Sequence, residues 1–328
     1  MNKSIEGFSL NRKVSKQIIS SFSKSAELET VSPLNGGVVN KNFKLILGNP
    51  AMDIHLRIYC GEDAEFRARK EGFVYTLLSQ NTDLLVPEVY VLDSSRKIID
   101  RVFALQSMLP GVNLESVCGS LSAEEQRAVA FEIGYQLGQI HSIRFDKFGD
   151  FLLGDGLENS RTWGNFFKDF TSRNITWCAK YGVVDQSFAN IFTDYMKKWQ
   201  KLLLINQPPV LIHRDLHLGN IQTQTDQNSR WHVCGIYDFE YAIAGHNEFD
   251  FAKPYWAIFD QYPTMKESML SGYKSESNLS DLFEMRMSRL YRLAELTDFL
   301  VFGTKSGKKE EVIRALETVR KIILDVPV

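Results

Sequence analysis

The sequence predicts an α+β protein of two lobes, a strand-rich front and a mainly helical back. Three observations predict it. The first third alternates period-two strand patterns with a single helical pattern. Beyond Gly111 helical periodicity takes over. The strands expected after that point surround one polar octapeptide, HRDLHLGN, residues 213–220. A chain of 328 residues is too long for one small core and suits a large domain or two lobes. The break in pattern at LPGVNL sets the boundary near Leu109–Gly111, giving lobes of residues 1–109 and 110–328.

In the front lobe, NFKLIL and DIHLRIY each alternate apolar and polar residues and are separated by GNPAM, so they read as a hairpin. In EDAEFRARKEGFVYTLLSQ, Phe66, Phe73, Val74, Leu77 and Leu78 recur at helical spacing. Strands are expected again at VPEVYVLD, KIIDR and VFALQSM. Four helical stretches follow: AEEQRAVAFEIGYQLGQIHSI, NIFTDYMKKWQKLLL, SDLFEMRMSRLYRLAELTDFLVF and KEEVIRALETVRKII. Between the second and third lie PPVLI, then NIQTQT and WHVCGIYDF about the turn cluster DQNS, a second hairpin.

Composition excludes some function classes. The hydrophobic fraction of 44% and charged fraction of 24% are those of a globular protein. A net charge of -2 gives no electrostatic case for a nucleic-acid partner. Charges interrupt the first residues too often for a signal peptide, and no run approaches the roughly 20 apolar residues of a membrane span. A cytoplasmic monomer or homodimer with no membrane partner is therefore expected. Cys60, Cys118, Cys178 and Cys234 are far apart and read as buried thiols.

Two chemistries compete for HRDLHLGN. One is a metal site of His213, Asp215 and His217, since zinc accepts imidazole nitrogen and carboxylate oxygen. It needs further ligands, and no second cluster has comparable spacing. The other is a phosphoryl-transfer loop, with Asp215 accepting the proton of a hydroxyl and Asn220 holding magnesium. An antiparallel ribbon brings Asn220 and Asp238 together at its open end, so the second reading also explains Asp238, which a mere loop of buried polar groups leaves unexplained. The order H-x-D, Asn, hairpin, Asp is that of a kinase catalytic loop and metal-binding carboxylate. In the front half, Gly36 and Gly37 of LNGGVVN either let backbone amides approach phosphate or form a plain hairpin turn. Arg57 in LRIYCG supplies a cation, and Glu71, near the apolar face of the helix, is either a partner for it or a solvated helix charge.

With these residues in hand, the chain resembles the aminoglycoside phosphotransferase and choline kinase family, which has a protein-kinase-like fold. The family commonly shows H-G-D-x-H-x-G-N, then I-D-[FW]-E, then Gly and Asp. His213, Asp215, His217, Gly219 and Asn220 match the first part, and Asp238, Glu240, Gly245 and Asp250 the rest. Glu71, Pro87, Leu109-Pro110-Gly111, Leu137 and His141 support it. The chain departs at Arg214, where the family has Gly or Asn, at Arg57, where Lys is usual, and at Tyr237. The resemblance implies a kinase that uses ATP or GTP with Mg2+ to phosphorylate a hydroxyl of a small molecule, an aminoglycoside-like antibiotic or a choline-like amino alcohol. It further implies Asp215 as base, Asn220 and Asp238 as magnesium ligands, and Arg57 with Glu71 at the phosphates. Adenine is expected at the backbone of Ser107 and Met108. His213 and Asp250 are expected as buttresses of the loop, and Leu137 and His141 as packing residues.

A Ser/Thr protein kinase and a nucleotide-binding pseudokinase are the alternatives. No A-P-E segment follows Asp238, and no base or metal ligand is missing. Aromatic residues such as Trp163, Phe167 and Trp256, with Glu248, Glu295 and Asp298, either hold a cationic acceptor or form helix cores and solvated faces.

Overall fold

The computed structural model describes residues 10–34, 39–152, 156–157 and 162–324. The chain divides into two compact units, Met1–Gln80 with Leu85–Pro110 and Asn81–Leu84 with Gly111–Val328.

The first unit runs α1 (Arg12–Phe22), β1 (Glu27–Pro33), β2 (Lys41–Asn49), β3 (Ala51–Tyr59), α2 (Ala64–Asn81), β4 (Val89–Asp93) and β5 (Val102–Ser107). The strands form one antiparallel sheet in the order β1-β2-β3-β5-β4. Alternation along β3 divides its side chains between two faces. Ile54, Leu56 and Ile58 join Leu45, Phe103 and Leu105 in a core that also takes in Ile18 and Ile19 of α1. Tyr59, Val102 and Ala104 face the other way and pack with Ala64 and Ala68 of α2. Each such Leu or Ile contributes about 1.5–3 kcal/mol by its burial.

Two features of this unit differ from expectation. KIIDR is not a strand. Asp93 accepts from the Ser95 backbone at 2.7 Å, Arg96 takes φ +58° and Arg101 N–H bonds Ile99 O at 2.7 Å. The segment is a tight connection whose Ile99, 7% exposed, plugs the core. Helix α1 carries no expectation from the sequence. Its signals are the Asn11 N-cap, which accepts from Val14 N–H, and apolar residues at helical spacing.

The second unit runs β6 (Val112–Asn113), α3 (Leu114–Val117), α4 (Ala123–Ile140), β7 (Phe151–Leu152), β8 (Gly156–Leu157), α5 (Trp163–Lys180), α6 (Gln186–Trp199), β9 (Val210–Ile212), β10 (Ile221–Thr225), β11 (Trp231–Ile236) and β12 (Ile243–Gly245). It ends with α7 (Ala252–Ala257), α8 (Met265–Glu276), α9 (Phe283–Arg286), α10 (Arg292–Lys305) and α11 (Lys309–Ile323). The expected ribbon is β10–β11, antiparallel, with Ile221 opposite Ile236. Strands form beyond those expected, because β6 adds to the β10 edge and β12 pairs with β9. Helices α5, α6, α10 and α11 enclose one core, with Cys178, Phe192, Leu293 and Val319 at its centre.

Helix α4 opens on a capping box between Ser122 and Glu125. It crosses α8 closely because both carry glycine. A Cβ on Gly134 would lie 1.9 Å from Met269 O, and one on Gly272 1.9 Å from Phe131 O. The third helical stretch is interrupted by a π-turn, Met287–Tyr291, between α9 and α10. Cys118 and Cys178 are buried, whereas Cys60 and Cys234 are only partly so, a correction to the expectation of four buried thiols. Among the described residues no helix is long and apolar enough to cross a membrane.

Candidate functional site

Buried β9 delivers the polar octapeptide. Gly245 of β12 lies opposite Val210, and a Cβ there would meet Ile212 Cδ1 at 2.2 Å, so any larger residue would displace the Ile212 side chain. Immediately after β9, Asp250 holds the turn. Its Oδ2 accepts from His213 N–H and its Oδ1 from Arg214 N–H, both at 2.6 Å. Oδ2 is also 3.0 Å from His141 Nε2, while His141 Nδ1 is 2.8 Å from Tyr273 OH. His141, at the end of α4, thus does more than pack. Charge-assisted bonds of this kind are the strong ones. They hold Arg214 at φ +67°, a left-handed conformation that L side chains disfavour.

His213 is fully buried, and both its ring nitrogens bond backbone. Nε2 donates to Tyr237 O at 3.0 Å and Nδ1 accepts from Asp215 N–H at 3.2 Å. The ring lies 4.3 Å from that of Phe239, centroid to centroid. His213 therefore ties the loop to the segment after β11 and has no lone pair for a metal. Among the described residues no group of three or more His, Cys, Asp or Glu side chains is arranged to hold one.

Asp215 is one-fifth exposed. Its Oδ1 receives Lys253 Nζ at 2.5 Å, and its Oδ2 lies 3.5 Å from Asn220 Nδ2 and 3.8 Å from His217 Nε2. Burial acts to raise its pKa, but Lys253, His217 and His213 more than offset this, and the carboxyl is held below its usual range. Burial also depresses His217, against the attraction of Asp215. Its Nδ1 accepts from Gly219 N–H at 3.1 Å, which fixes the ring.

Lys253 comes from α7 and also lies 3.4 Å from Glu295 Oε1 of α10. Burial opposes its charge, yet Asp215 and Glu295 raise its pKa. Burial pushes Glu295 up to about 7, with Asp298 adding and Lys253 opposing. Lys253 was not picked out from the sequence, and Glu295 was named only as a carboxylate that either holds a cationic acceptor or lies on a helix face. The signals available were a lone Lys in the apolar run FDFAKPYWAIF and an acid in RLAELTDFLVF.

Asn220 Nδ2 donates to Asp215 O at 2.9 Å, which orients the carboxamide and leaves Oδ1 for a cation. Tyr237 N–H donates to Asn220 O at 3.1 Å, so the β10–β11 ladder continues to the residue before Asp238. Tyr237 OH donates to Gly219 O at 2.7 Å, and Asn113 Nδ2 donates to the same carbonyl at 2.7 Å. Asp238 has φ +71°. A carboxamide and a carboxylate at one end of a ribbon are hard oxygen donors, a set that fits Mg2+ and not a soft metal.

The first unit brings Arg57 and Glu71 together. Arg57 Nε lies 3.2 Å from Glu71 Oε2, and both side chains are buried. Tyr59 OH donates to Oε2 and Tyr75 OH to Oε1 at 2.9 Å, so both Glu71 oxygens are held. Ser107 exchanges two bonds with Glu88, its N–H to Glu88 O at 2.8 Å and its hydroxyl from Glu88 N–H at 2.9 Å. Its amide is committed within the fold, and Met108 follows. Gly36 and Gly37 lie outside the described residues. Trp163, Phe167 and Glu248 belong to the interior of the second unit. Trp163 Nε1 donates to Tyr291 OH at 2.9 Å, and Glu248 pairs with Arg286 at 2.8 Å.

A family model described as "Phosphotransferase enzyme family" matches residues 30–281. Comparison with curated proteins finds no match. Among solved structures, the chain is similar to an aminoglycoside 2'-phosphotransferase in its GDP complex, at 14% identity and TM-score 0.67, covering 96% of this chain and 99% of the other. It is similar to an ethanolamine kinase of Plasmodium vivax at 13% identity and TM-score 0.63, covering 98% and 91%. A spectinomycin phosphotransferase in complex with ADP and spectinomycin aligns at 14% identity and TM-score 0.53, covering 94% and 96%. The fold is that of these protein-kinase-like enzymes.

Proposed function

The chain belongs to the phosphotransferase enzyme family, and from that premise we propose that it transfers the γ-phosphoryl group of ATP or GTP to a hydroxyl of a small molecule. The observation that carries this reading is the partly exposed Asp215 carboxylate held by Lys253, with Asn220 bonded to the Asp215 backbone carbonyl. Asp215 orients the acceptor hydroxyl and takes its proton. The oxygen so freed bonds to the γ-phosphorus, the bond from that phosphorus to the β–γ bridging oxygen breaks, and the nucleoside diphosphate departs with its electron pair. Because Asp215 is held below the usual carboxylate range, it is ionised at neutral pH.

Asn220 and Asp238 would hold Mg2+, which when bound neutralises charge on the phosphates. Arg57 contacts nucleotide phosphate, and the buried Glu71 keeps its guanidinium in one orientation. Ser107 and Met108 receive the purine, Met108 through its backbone. Nucleotide handling falls to residues 1–109, with Gly36 and Gly37 at the phosphates, and catalysis and acceptor binding to residues 110–328. The location is cytoplasmic. The acceptor is an aminoglycoside-like antibiotic or a choline-like amino alcohol. The family's solved relatives include enzymes crystallised with kanamycin and GDP, and with spectinomycin and ADP.

The test is a coupled assay of nucleoside diphosphate release, run with ATP and with GTP over aminoglycosides, macrolides, amino alcohols and sugars. An acceptor-dependent rate that Asp215→Asn abolishes is the expected result. Equal rates in both proteins would remove Asp215 from the chemistry.

A further inference from the structure

Asp215 is fixed on one side only. Its Oδ2 has long contacts, 3.5 Å to Asn220 Nδ2 and 3.8 Å to His217 Nε2. Its Oδ1 has one short bond, 2.5 Å to Lys253 Nζ. That ammonium is in turn held at 3.4 Å by Glu295, whose side chain is 6% exposed. Asp298 and Arg214 act on Glu295 electrostatically, and Asn174 of α5 donates to Asp298 Oδ1 at 3.1 Å. The lysine also stands over the Trp256 ring, 5.8 Å from its centroid.

We propose that Lys253 is a positioning residue, which holds the Asp215 carboxylate in the orientation that meets an acceptor hydroxyl and is itself set by Glu295. This rests on the reading of Asp215 given above. A lysine side chain is rich in rotamers, so one pinned between Asp215 and Glu295 is ordered at a cost. The π-turn Met287–Tyr291 ends four residues before Glu295. One residue added to a helical turn rotates the remainder of the helix by roughly 100°. The turn therefore sets which face of α10 carries Glu295, and such turns recur at functional sites.

The competing account is that Lys253 merely neutralises a buried Glu295. A double variant separates the two. Lys253→Met alone strands Glu295 and can fail to fold, whereas Lys253→Met with Glu295→Gln removes both charges of that pair. The probe is magnesium-ATP with water as acceptor, read as ADP release, beside urea midpoints.

If Lys253 positions the base, the double variant keeps a near-wild-type midpoint and an ATP KM within about twofold. Its kcat falls about 10- to 100-fold, the loss that misplacing a reacting group brings. Lys253→Arg recovers part of that loss. Adding Asp215→Asn to the double variant costs nothing more than Asp215→Asn alone, because residues acting as a unit are not additive. Wild-type kcat in the double variant, beside an inactive Asp215→Asn protein, overturns the inference alone. Losses that multiply overturn it too, since Lys253 would then act apart from Asp215. A fully active Asp215→Asn protein overturns the reading of Asp215 and this inference with it.

Discussion

Two residues of the site stand in left-handed backbone, Arg214 at φ +67° and Asp238 at φ +71°. The other non-glycine residues with positive φ among those described, Arg96 and Ser229, sit in turns. Such a conformation costs on the order of 1–2 kcal/mol for an L residue. At Arg214 it is offset by the Asp250 clamp and by the guanidinium 4.7 Å from the Phe170 ring centroid. Arg214→Gly removes both the strain and the ring contact, which is worth about 0.5–2 kcal/mol. Stability within about 1 kcal/mol of wild type and retained activity are expected. A loss beyond about 2 kcal/mol by urea titration would mean that the arginine holds more than that ring. Asp215→Asn keeps the shape and loses the proton acceptor. Turnover should drop by about 10²–10⁴-fold with little change in nucleotide affinity. A protein that instead loses bound metal and unfolds would favour the metal-site alternative. Arg57→Ala should weaken nucleotide binding, and Arg57→Lys should keep part of it, since lysine retains charge without the planar fork. Equal affinities in all three proteins would take Arg57 out of the site. Asp215, Asn220 and Asp238 were legible as candidates because the spacing that singles them out is local to one loop and one ribbon. Lys253 was not, and neither was its link to Glu295, because Lys253 reaches Asp215 from one helix, Glu295 reaches Lys253 from another, and only folding brings them together.

At the scale of elements, helices α4 and α8 meet through glycine. With Gly134 Cβ only 1.9 Å from Met269 O, Gly134→Ala must push the two backbones apart. Overpacking of this kind costs about 1–3 kcal/mol, despite alanine's better helix propensity. A lower urea midpoint is the expected reading, and an unchanged one would mean that the crossing shifts freely. Helices α2, α4, α6, α10 and α11, the β2–β3 hairpin and the β10–β11 ribbon were legible because one period runs through each, whereas α5 and α8 carried no expectation. The short strands β6 and β12 were not, since two or three residues carry no period. KIIDR misled because its apolar residues are buried by a turn and not by a pleat. The π-turn before α10 escaped notice because its run remains helical in pattern. It precedes Glu295, whose pKa is raised from about 4.5 to about 7 chiefly by burial. The folded form then binds more protons than the unfolded one between these values, so this group's contribution to stability falls as pH rises through that window. Glu295→Gln has no such proton to lose. The difference in urea midpoint between the two proteins should therefore change from pH 4.5 to pH 7 and level off above. A constant difference would show that Glu295 is ionised throughout.

At the scale of the whole molecule, a nucleotide that binds only the folded chain must stabilise it. Ligand at about 100 times its Kd adds about 2.7 kcal/mol. For a protein larger than 150 residues each kcal/mol raises the melting temperature by roughly 2–4 °C. Magnesium-ATP or magnesium-GTP should therefore raise it by several degrees, and the larger rise names the preferred nucleotide. The metal's share can be isolated. If Asn220 and Asp238 hold Mg2+ against the phosphates, nucleotide with a chelator should stabilise the wild type less than nucleotide with Mg2+. In Asp238→Ala that difference should disappear, whatever happens to the ligand-free melting temperature, because the reading is the increment that Mg2+ adds to the nucleotide. Zinc alone should do nothing, since His213 has both nitrogens committed to backbone and cannot join Asp215 and His217 as a ligand. Stabilisation by zinc without any by magnesium nucleotide would overturn the phosphotransfer reading of the loop, whatever the fold around it.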